Sequence, residues 1–360
     1  MKTKPSALVV FIPGFPKNED DSVCLPAQQS FIKNLRELYP LLKIIILSFQ
    51  YPFEASEYKW KRVSVISFGG KNKGGLARLL LWNRVRRRFR SIQQEYGVRG
   101  ILSFWLGECA LVAKSLATKY RLPHYCWIMG QDSKADNKFV RRIDSQPGEL
   151  IAISEFIAKE MKKNHGIAPS HIIPLGVDAA IYKSETLVRN VDLLGAGSLI
   201  ALKQFEVFIR IVKKLSDENK NLRAVICGNG PEKDRLNRMI KDFGLSSNIQ
   251  LLGERSHGEV VELMKRSRIL LHPSSFEGFS GVCLEALGAG AHVVSLTRPM
   301  DSDHPHWYIA RDEDDMVNIT RELLNTGITH EVIIPYKMPD TVKAVMSLFI
   351  EESHAYGKHL

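Results

Sequence analysis

Short runs of β-branched and other apolar residues alternate with longer segments of helical period along nearly the whole chain, and this alternation is the strongest constraint on its fold. Runs of that kind are strands buried on both faces, and such strands need helices above and below them, which is the arrangement of a parallel sheet. In the first half the expected strands span 7–12, 43–49, 62–67, 99–104, 125–129, 149–154 and 171–175, with helices fitting between most of them. A polar stretch of low periodicity from Tyr182 to Asn190 has the composition of a linker, and the alternation restarts at 192–195, 222–227, 248–252, 269–272 and 292–296. With 360 residues, against roughly 100–200 per domain, the chain reads as two doubly wound, Rossmann-like α/β domains, 1–182 and 190–338. The last helical pattern, about 340–356, has no strand after it to serve and is expected to pack back on the first domain. Open parallel sheets bind ligands beyond the carboxyl ends of their strands, so two such halves facing each other predict a site in a central cleft.

Composition removes several classes. Apolar residues make up 44% and charged residues 25%, ordinary for a globular protein, which disfavours disorder and repeats. No uncharged apolar stretch approaches the roughly 18 residues a spanning helix needs. The opening apolar run from Ala7 to Ile12 is broken by Pro13, Gly14 and Pro16 and followed by charge without a small-residue cleavage site, so it reads as a buried strand rather than a signal peptide. Cys24, Cys109, Cys126, Cys227 and Cys283 are odd in number, scattered and without C-x-x-C spacing, which argues against disulfides or zinc and for a reduced, cytoplasmic chain.

The formal charge of +11 is local. Between Glu57 and Glu95 there is no acid, while Lys59, Lys61, Arg62, Lys71, Lys73, Arg78, Arg84, Arg86, Arg87, Arg88 and Arg90 all fall there. Leu81, Trp82, Val85, Phe89 and Ile92 recur at three- and four-residue spacing, so a helix from Leu76 to Ile92 gathers them on one face with arginines at its flanks. Two readings fit: a core-packed helix with a solvated basic face, or peripheral contact with an anionic membrane or a lipid-linked substrate. Nucleic acid is not expected, because no aromatic-interleaved recognition motif accompanies the charge.

The densest constellation is His272-Pro-Ser-Ser-Phe-Glu277-Gly-Phe-Ser-Gly281-Val-Cys-Leu-Glu285-Ala-Leu-Gly-Ala-Gly290. A buried strand runs into a Gly- and Ser-rich turn, and a helical pattern opens near Gly281. The free N–H groups and the dipole of that helix end favour an anion. Glu285, about one turn in, and Glu277, eight residues earlier, can each accept from hydroxyls on either side of it. Acids near a helix start also occur simply because they favour the dipole.

This stretch resembles the E-x(7)-E signature of the retaining GT-B glycosyltransferases of family 4, and further marks follow in order. Gly14 sits after the first strand, Ser154 ends a strand, and Pro174-Leu-Gly-Val-Asp178 is similar to the family's "pnGVD". Gly195-Ala-Gly-Ser-Leu-Ile-Ala-Leu-Lys203 is similar to "vGRL…K", and Val225-Ile-Cys-Gly-Asn-Gly-Pro231 to "ivGdGp". The resemblance implies a hexosyltransferase with a nucleoside diphosphate sugar as donor, a glycan or lipid-linked hydroxyl acceptor, and no cofactor or metal. It implies that Lys203 neutralises the leaving pyrophosphate, that Glu285 holds ribose hydroxyls and that Glu277 contacts the donor sugar. Gly14 and the backbone from Ser280 through Gly281 to Val282 would approach the phosphates, while Gly228 and Gly230 would line the nucleotide pocket.

Three departures stand out. Ser198 replaces the family's Arg, with Arg255 as a substitute phosphate contact; Ser280 replaces a glycine and offers a hydroxyl; and Gln131 or Asp132 occupies the neighbourhood of the usual His. His124 precedes its strand and is expected at the opposite end. Asp132 could orient an acceptor hydroxyl or cap the following helix. In same-face retaining transfer the leaving phosphate takes the acceptor proton, so a protein base is not obligatory.

The acidic clusters Asp20-Asp21 and 312–315 carry no metal motif, and Asn318-Ile-Thr320 matches a glycosylation acceptor that a cytoplasmic chain would not use. The setting implied is bacterial surface-polysaccharide assembly at the inner membrane face. The competing class is a non-catalytic GT-B binder of nucleotide sugars or glycans. A dinucleotide oxidoreductase is disfavoured by the missing third glycine after Gly230, and an epimerase by the lack of acid/base side chains to place on the sugar.

Overall fold

The computed structural model describes residues 4–182 and 188–355. Its strands are β1 (Ser6–Gly14), β2 (Lys43–Tyr51), β3 (Ala55–Trp60), β4 (Val63–Phe68), β5 (Gly97–Phe104), β6 (His124–Ile128), β7 (Leu150–Ala152), β8 (His171–Ile172), β9 (Val191–Ala196), β10 (Ala224–Cys227), β11 (Ile249–Gly253), β12 (Ser267–His272), β13 (His292–Ser295) and β14 (Trp307–Ile309). The helices are α1 (Pro26–Leu38), α2 (Gly75–Glu95), α3 (Glu108–Tyr120), α4 (Lys138–Ile143), α5 (Glu155–His165), α6 (Phe205–Glu218), α7 (Lys233–Asp242), α8 (His257–Lys265), α9 (Gly281–Gly288), α10 (Glu313–Asn325) and α11 (Met338–Ala355).

Two compact units result, one built from the chain up to Leu175 together with the chain from Met338 on, the other from Gly176 to Lys337. The division falls at Leu175, ahead of the expected linker, because Val177 already bonds to the second unit's Tyr336 (amide to carbonyl, 2.9 Å). Most of the expected linker, 183–187, lies outside the described residues.

The first unit holds an eight-stranded sheet in the order β3-β4-β2-β1-β5-β6-β7-β8, parallel throughout except for the antiparallel β3–β4 pair. β1 is central, with Val9 opposite Ile45 on one side and Ile101 on the other, and Ala7 to Ile12 are buried without break. α2 lays Leu81, Val85, Phe89 and Ile92 on this sheet, with the Phe89 ring 6.0 Å from that of Phe11. α11 belongs to this unit. The Tyr125 hydroxyl donates to the Leu348 carbonyl (3.1 Å), and the Phe349 ring meets that of Tyr125 edge-on at 4.9 Å. Gly100 makes the approach feasible, since a Cβ there would stand 2.5 Å from the Phe349 ring.

The second unit is a six-stranded, all-parallel sheet ordered β11-β10-β9-β12-β13-β14. Phe208, Ile211, Val212 and Leu215 of α6 fill its core against Leu193, Ile226 and Ile269. Counting from its own first strand the order is 3-2-1-4-5-6, the doubly wound pattern whose direction of winding reverses between β9 and β12. A ligand is expected at that reversal, outside the carboxyl ends.

Two strands were not anticipated. β3 reads Ala-Ser-Glu-Tyr-Lys-Trp and is largely exposed at a sheet edge, and β14 is three half-buried residues. β7 and β8 are shorter than expected: residues 147–149 form a 3-10 turn and Ser154 leaves the strand to cap α5, accepting from the Ile157 amide at 3.2 Å.

Candidate active site

Four strand ends of the second unit carry the expected residues. Gly197 and Ser198 follow β9, Gly228 to Gly230 follow β10, Arg255 follows β11, and the turn leading to α9 follows β12. Because these strands are parallel and adjacent, all four loops lie along one edge of the sheet.

Across the reversal point, Lys203, in a 3-10 turn after β9, places Nζ 2.5 Å from Glu277 Oε2. His272, the last residue of β12, puts Nε2 3.1 Å from the same oxygen. Burial alone would raise the Glu277 pKa, but the His272 hydrogen bond and the Lys203 charge hold it at about 2. Burial also lowers the pKa of His272, so its imidazole is neutral and its Nε2–H is the donor. Glu277 Oε1 accepts weakly from the Ser280 amide at 3.4 Å. Glu277 is therefore an ionised acceptor held from three sides.

The turn then enters α9. Ser280 takes a left-handed conformation (φ 49°), which bends the chain into the helix. The amides of Gly281 and Val282 donate to no group among the described residues. A Cβ built on Gly281 meets nothing within 4 Å, so the approach to this helix end is open. The expected hydroxyl contact of Ser280 is corrected: its side chain is buried and its Oγ lies 2.9 Å from Cys283 Sγ, turned into the fold.

One turn on, Glu285 Oε1 lies 2.8 Å from Nε2 of His257, the first residue of α8. The Glu285 hydrogen bond raises the His257 pKa against its partial burial. His257 and His272 received no role from the sequence, because each finds its carboxylate through the fold; no local spacing joins His257 to Glu285.

Gly228 and Gly230 lie in the loop after β10, against the loop after β9. A Cβ on Gly228 would lie 1.8 Å from the Gly197 carbonyl oxygen, and one on Gly230 2.4 Å from that of Leu199. Their φ values of 153° and 158° and the Leu199 amide bond to the Asn229 carbonyl (2.9 Å) show two loops pressed backbone to backbone. These glycines shape the edge by permitting that contact. Ser198 is exposed beside them, and Arg255 donates to the Glu254 carbonyl (3.3 Å) and lies 3.9 Å from Glu259.

Gly14, Gln131 and Asp132 belong to the first unit. Gly14 ends β1, where a Cβ would touch that of Tyr51 at 3.4 Å. Gln131 is exposed in the 3-10 turn Gly130–Ser133 beyond β6. Asp132 is buried, and its Oδ2 accepts from the Met129 amide at 2.8 Å, so it caps this turn, while the following helix is capped by Asn137. Burial outweighs the backbone bonds from Leu106 and Met129 and raises its pKa to about 7. His124 opens β6, buried against Ser103 Oγ (2.8 Å), at the amino end of the strands. Asp312 caps α10, Asp21 accepts from the Tyr51 hydroxyl (2.8 Å), and Thr320 of the expected glycosylation motif is buried within α10. Among the described residues no group of three or more His, Cys, Asp or Glu is placed to hold a metal.

The two parallel-sheet Rossmann-like units define the GT-B fold class. Over 98% of its length the chain superposes on 99% of Anabaena Alr3699/HepE, solved in complex with UDP and glucose, with a TM-score of 0.68 and 16% identity. It also superposes on the lipopolysaccharide outer core galactosyltransferase WaaB with a TM-score of 0.61, covering 98% of this chain and 99% of that one at 16% identity.

Residues 183–301 match the family "Glycosyl transferases group 1". The phosphatidylinositol N-acetylglucosaminyltransferase gpi3 subunit of Schizosaccharomyces pombe is 23% identical over 244 residues, 65% of this chain and 54% of that protein. The 2-deoxystreptamine N-acetyl-D-glucosaminyltransferase of Niallia circulans is 28% identical over 166 residues, 44% of this chain and 42% of the relative. The chain thus spans about half or less of the length of these relatives.

Proposed function

We propose that the chain is a retaining glycosyltransferase that moves a hexose from a nucleoside diphosphate sugar to a hydroxyl acceptor. The observation that carries this reading is the meeting of Lys203 with Glu277 at the strand-order reversal, beside the amides of Gly281 and Val282, unpaired among the described residues. An anionic diphosphate fits the amides and the Lys203 ammonium, and sugar hydroxyls fit the carboxylate of Glu277, which no longer needs its lysine once the phosphate has taken it. Glu285, with one oxygen on His257, keeps acceptor capacity for ribose hydroxyls.

In the reaction the acceptor oxygen bonds to the anomeric carbon as the bond from that carbon to the phosphate oxygen breaks. The acceptor's proton passes to the departing phosphate on the same face. Negative charge grows on the diphosphate in the transition state, where Lys203 and the α9 amides act most strongly. The acceptor is a glycan or lipid-linked glycan of bacterial surface polysaccharide, handled by a cytoplasmic protein at the inner membrane face. The arginine-rich α2, with Leu76, Leu79 and Leu80 exposed at its start, supports that setting.

A panel of UDP-, GDP- and ADP-sugars screened by thermal shift, followed by transfer to a crude lipid extract with the best of them, tests the proposal. The expected product carries the anomeric configuration of the donor. An inverted product refutes retention, and nucleotide binding without released diphosphate refutes transfer.

A further inference from the structure

The first unit carries a concave surface on α2, β3 and β4, elements that hold none of the candidate site residues. In the β3–β4 hairpin Ala55 pairs with Phe68 and Glu57 with Ile66, so the four share one face of the sheet. α2 covers the neighbouring strands with its apolar stripe. Its adjoining stripe, Arg84, Arg87, Arg88 and Ser91 at the i, i+3, i+4, i+7 spacing of one helix flank, forms the wall of an open groove of about 460 Å³ over that face.

Three guanidinium groups line this groove against one carboxylate, Glu57. Arg84 lies over the Phe68 ring, 5.8 Å from its centre, and donates to the Phe68 carbonyl at 3.3 Å. Arg88 Nη2 donates to Glu57 Oε2 at 2.9 Å, but its Nε is buried with no acceptor among the described residues. The Arg87 guanidinium has no partner among the described residues. Like charges three and four residues apart repel along a helix, and burying a donor without an acceptor is costly. An oxyanion with several acceptor oxygens between Arg87 and Arg88 offsets the repulsion and gives the Arg87 guanidinium the acceptor it lacks. The planar fork of guanidinium suits phosphate. On the same helix Leu76 and Leu80, each four residues before the next, lead to Arg84, and both are more than half exposed. An apolar chain attached to the phosphate has a surface to lie on.

We infer that the α2–β3–β4 groove binds a phosphate group, its oxygens shared by Arg87 and Arg88, and takes it best when the phosphate is borne on a hydrocarbon chain. The inference concerns binding alone and stands apart from the chemistry at Lys203.

Titration with soluble dihexanoyl phosphatidic acid at physiological salt tests it, with UDP binding and thermal midpoint measured on every variant to show an intact fold. Saturable binding is expected, weakened at least about tenfold in the double variant Arg87→Gln/Arg88→Gln. The double variant Arg86→Gln/Arg90→Gln removes the same charge from α2 outside the groove and is expected to change affinity less than about twofold. Glu57→Gln removes the internal competitor and is expected to tighten binding about threefold. Inorganic phosphate is expected to bind more weakly than the amphiphile and to lose its binding in the same double variant. Equal losses in the two double variants, non-saturable binding, or weakening by Glu57→Gln would overturn the proposal. Inorganic phosphate binding as tightly as the amphiphile would strike out the hydrocarbon chain.

Discussion

Lys203 and Glu285 serve the proposed reaction differently, and their truncation separates the two tasks. Lys203→Ala is expected to lower kcat about 10²–10³-fold with a smaller change in donor affinity, as for a group that meets charge formed in the transition state. Glu285→Ala is expected to weaken nucleotide binding about tenfold with little change in kcat, as for loss of hydrogen bonds present before and during reaction. Calorimetry with UDP and initial-rate kinetics check both. Glu277 adds a pH signature. Its pKa is depressed from 4.5 to about 2 in the folded chain, so its contribution to stability is complete above pH 4.5 and drains away as the pH falls toward 2. Thermal midpoints measured down that range should decline less steeply in Glu277→Gln than in the unaltered chain. The shift of His257 runs the other way: raised above 6.5 by Glu285, it stabilises fully below that pH and is lost as the pH climbs through the folded value. In Glu285→Gln the His257 ring resonance should titrate at lower pH; an unmoved titration would show that this pairing is absent in solution.

Among elements, the glycines of the two turns predict opposite outcomes for one substitution. Gly228→Ala pushes a methyl to 1.8 Å from the Gly197 carbonyl and should cost about 1–3 kcal/mol or more through overpacking, seen as a lower denaturation midpoint. Gly281→Ala finds open space and should leave the midpoint in place while weakening diphosphate binding, because the new methyl stands at the mouth of the α9 amides. The central elements were legible because β1, β2 and β9 are apolar runs that propensity and burial both favour. β3 was not: Ala-Ser-Glu-Tyr-Lys-Trp is a polar edge strand, turned back by Lys61 and Arg62, both at positive φ without a glycine to announce the hairpin. Within the site, Glu277, Glu285 and Lys203 could be named from residue patterns. His257 could not, since only the folded sheet brings the start of α8 against Glu285, 28 residues on; nor could His272 or Ser280, whose side-chain directions are set by how the turn from β12 into α9 bends. The same holds for Asp132, whose place on a 3-10 turn rather than on α4 depends on where β6 stops.

At the scale of the molecule, the first unit is completed by the last helix of the chain. Phe349 is 3% exposed and fills the space above Gly100 and beside Tyr125, so Phe349→Ala should destabilise that unit by about 3–5 kcal/mol. Calorimetry should show its transition moving to lower temperature. The second unit is consequently an excursion of the chain: the backbone leaves at Gly176, returns at Lys337, and the two passages are stitched together by the bond from the Val177 amide to the Tyr336 carbonyl. A segment whose two ends meet is a natural cassette, one that recombination could splice whole into another host chain or that a laboratory could re-terminate elsewhere without disturbing its interior.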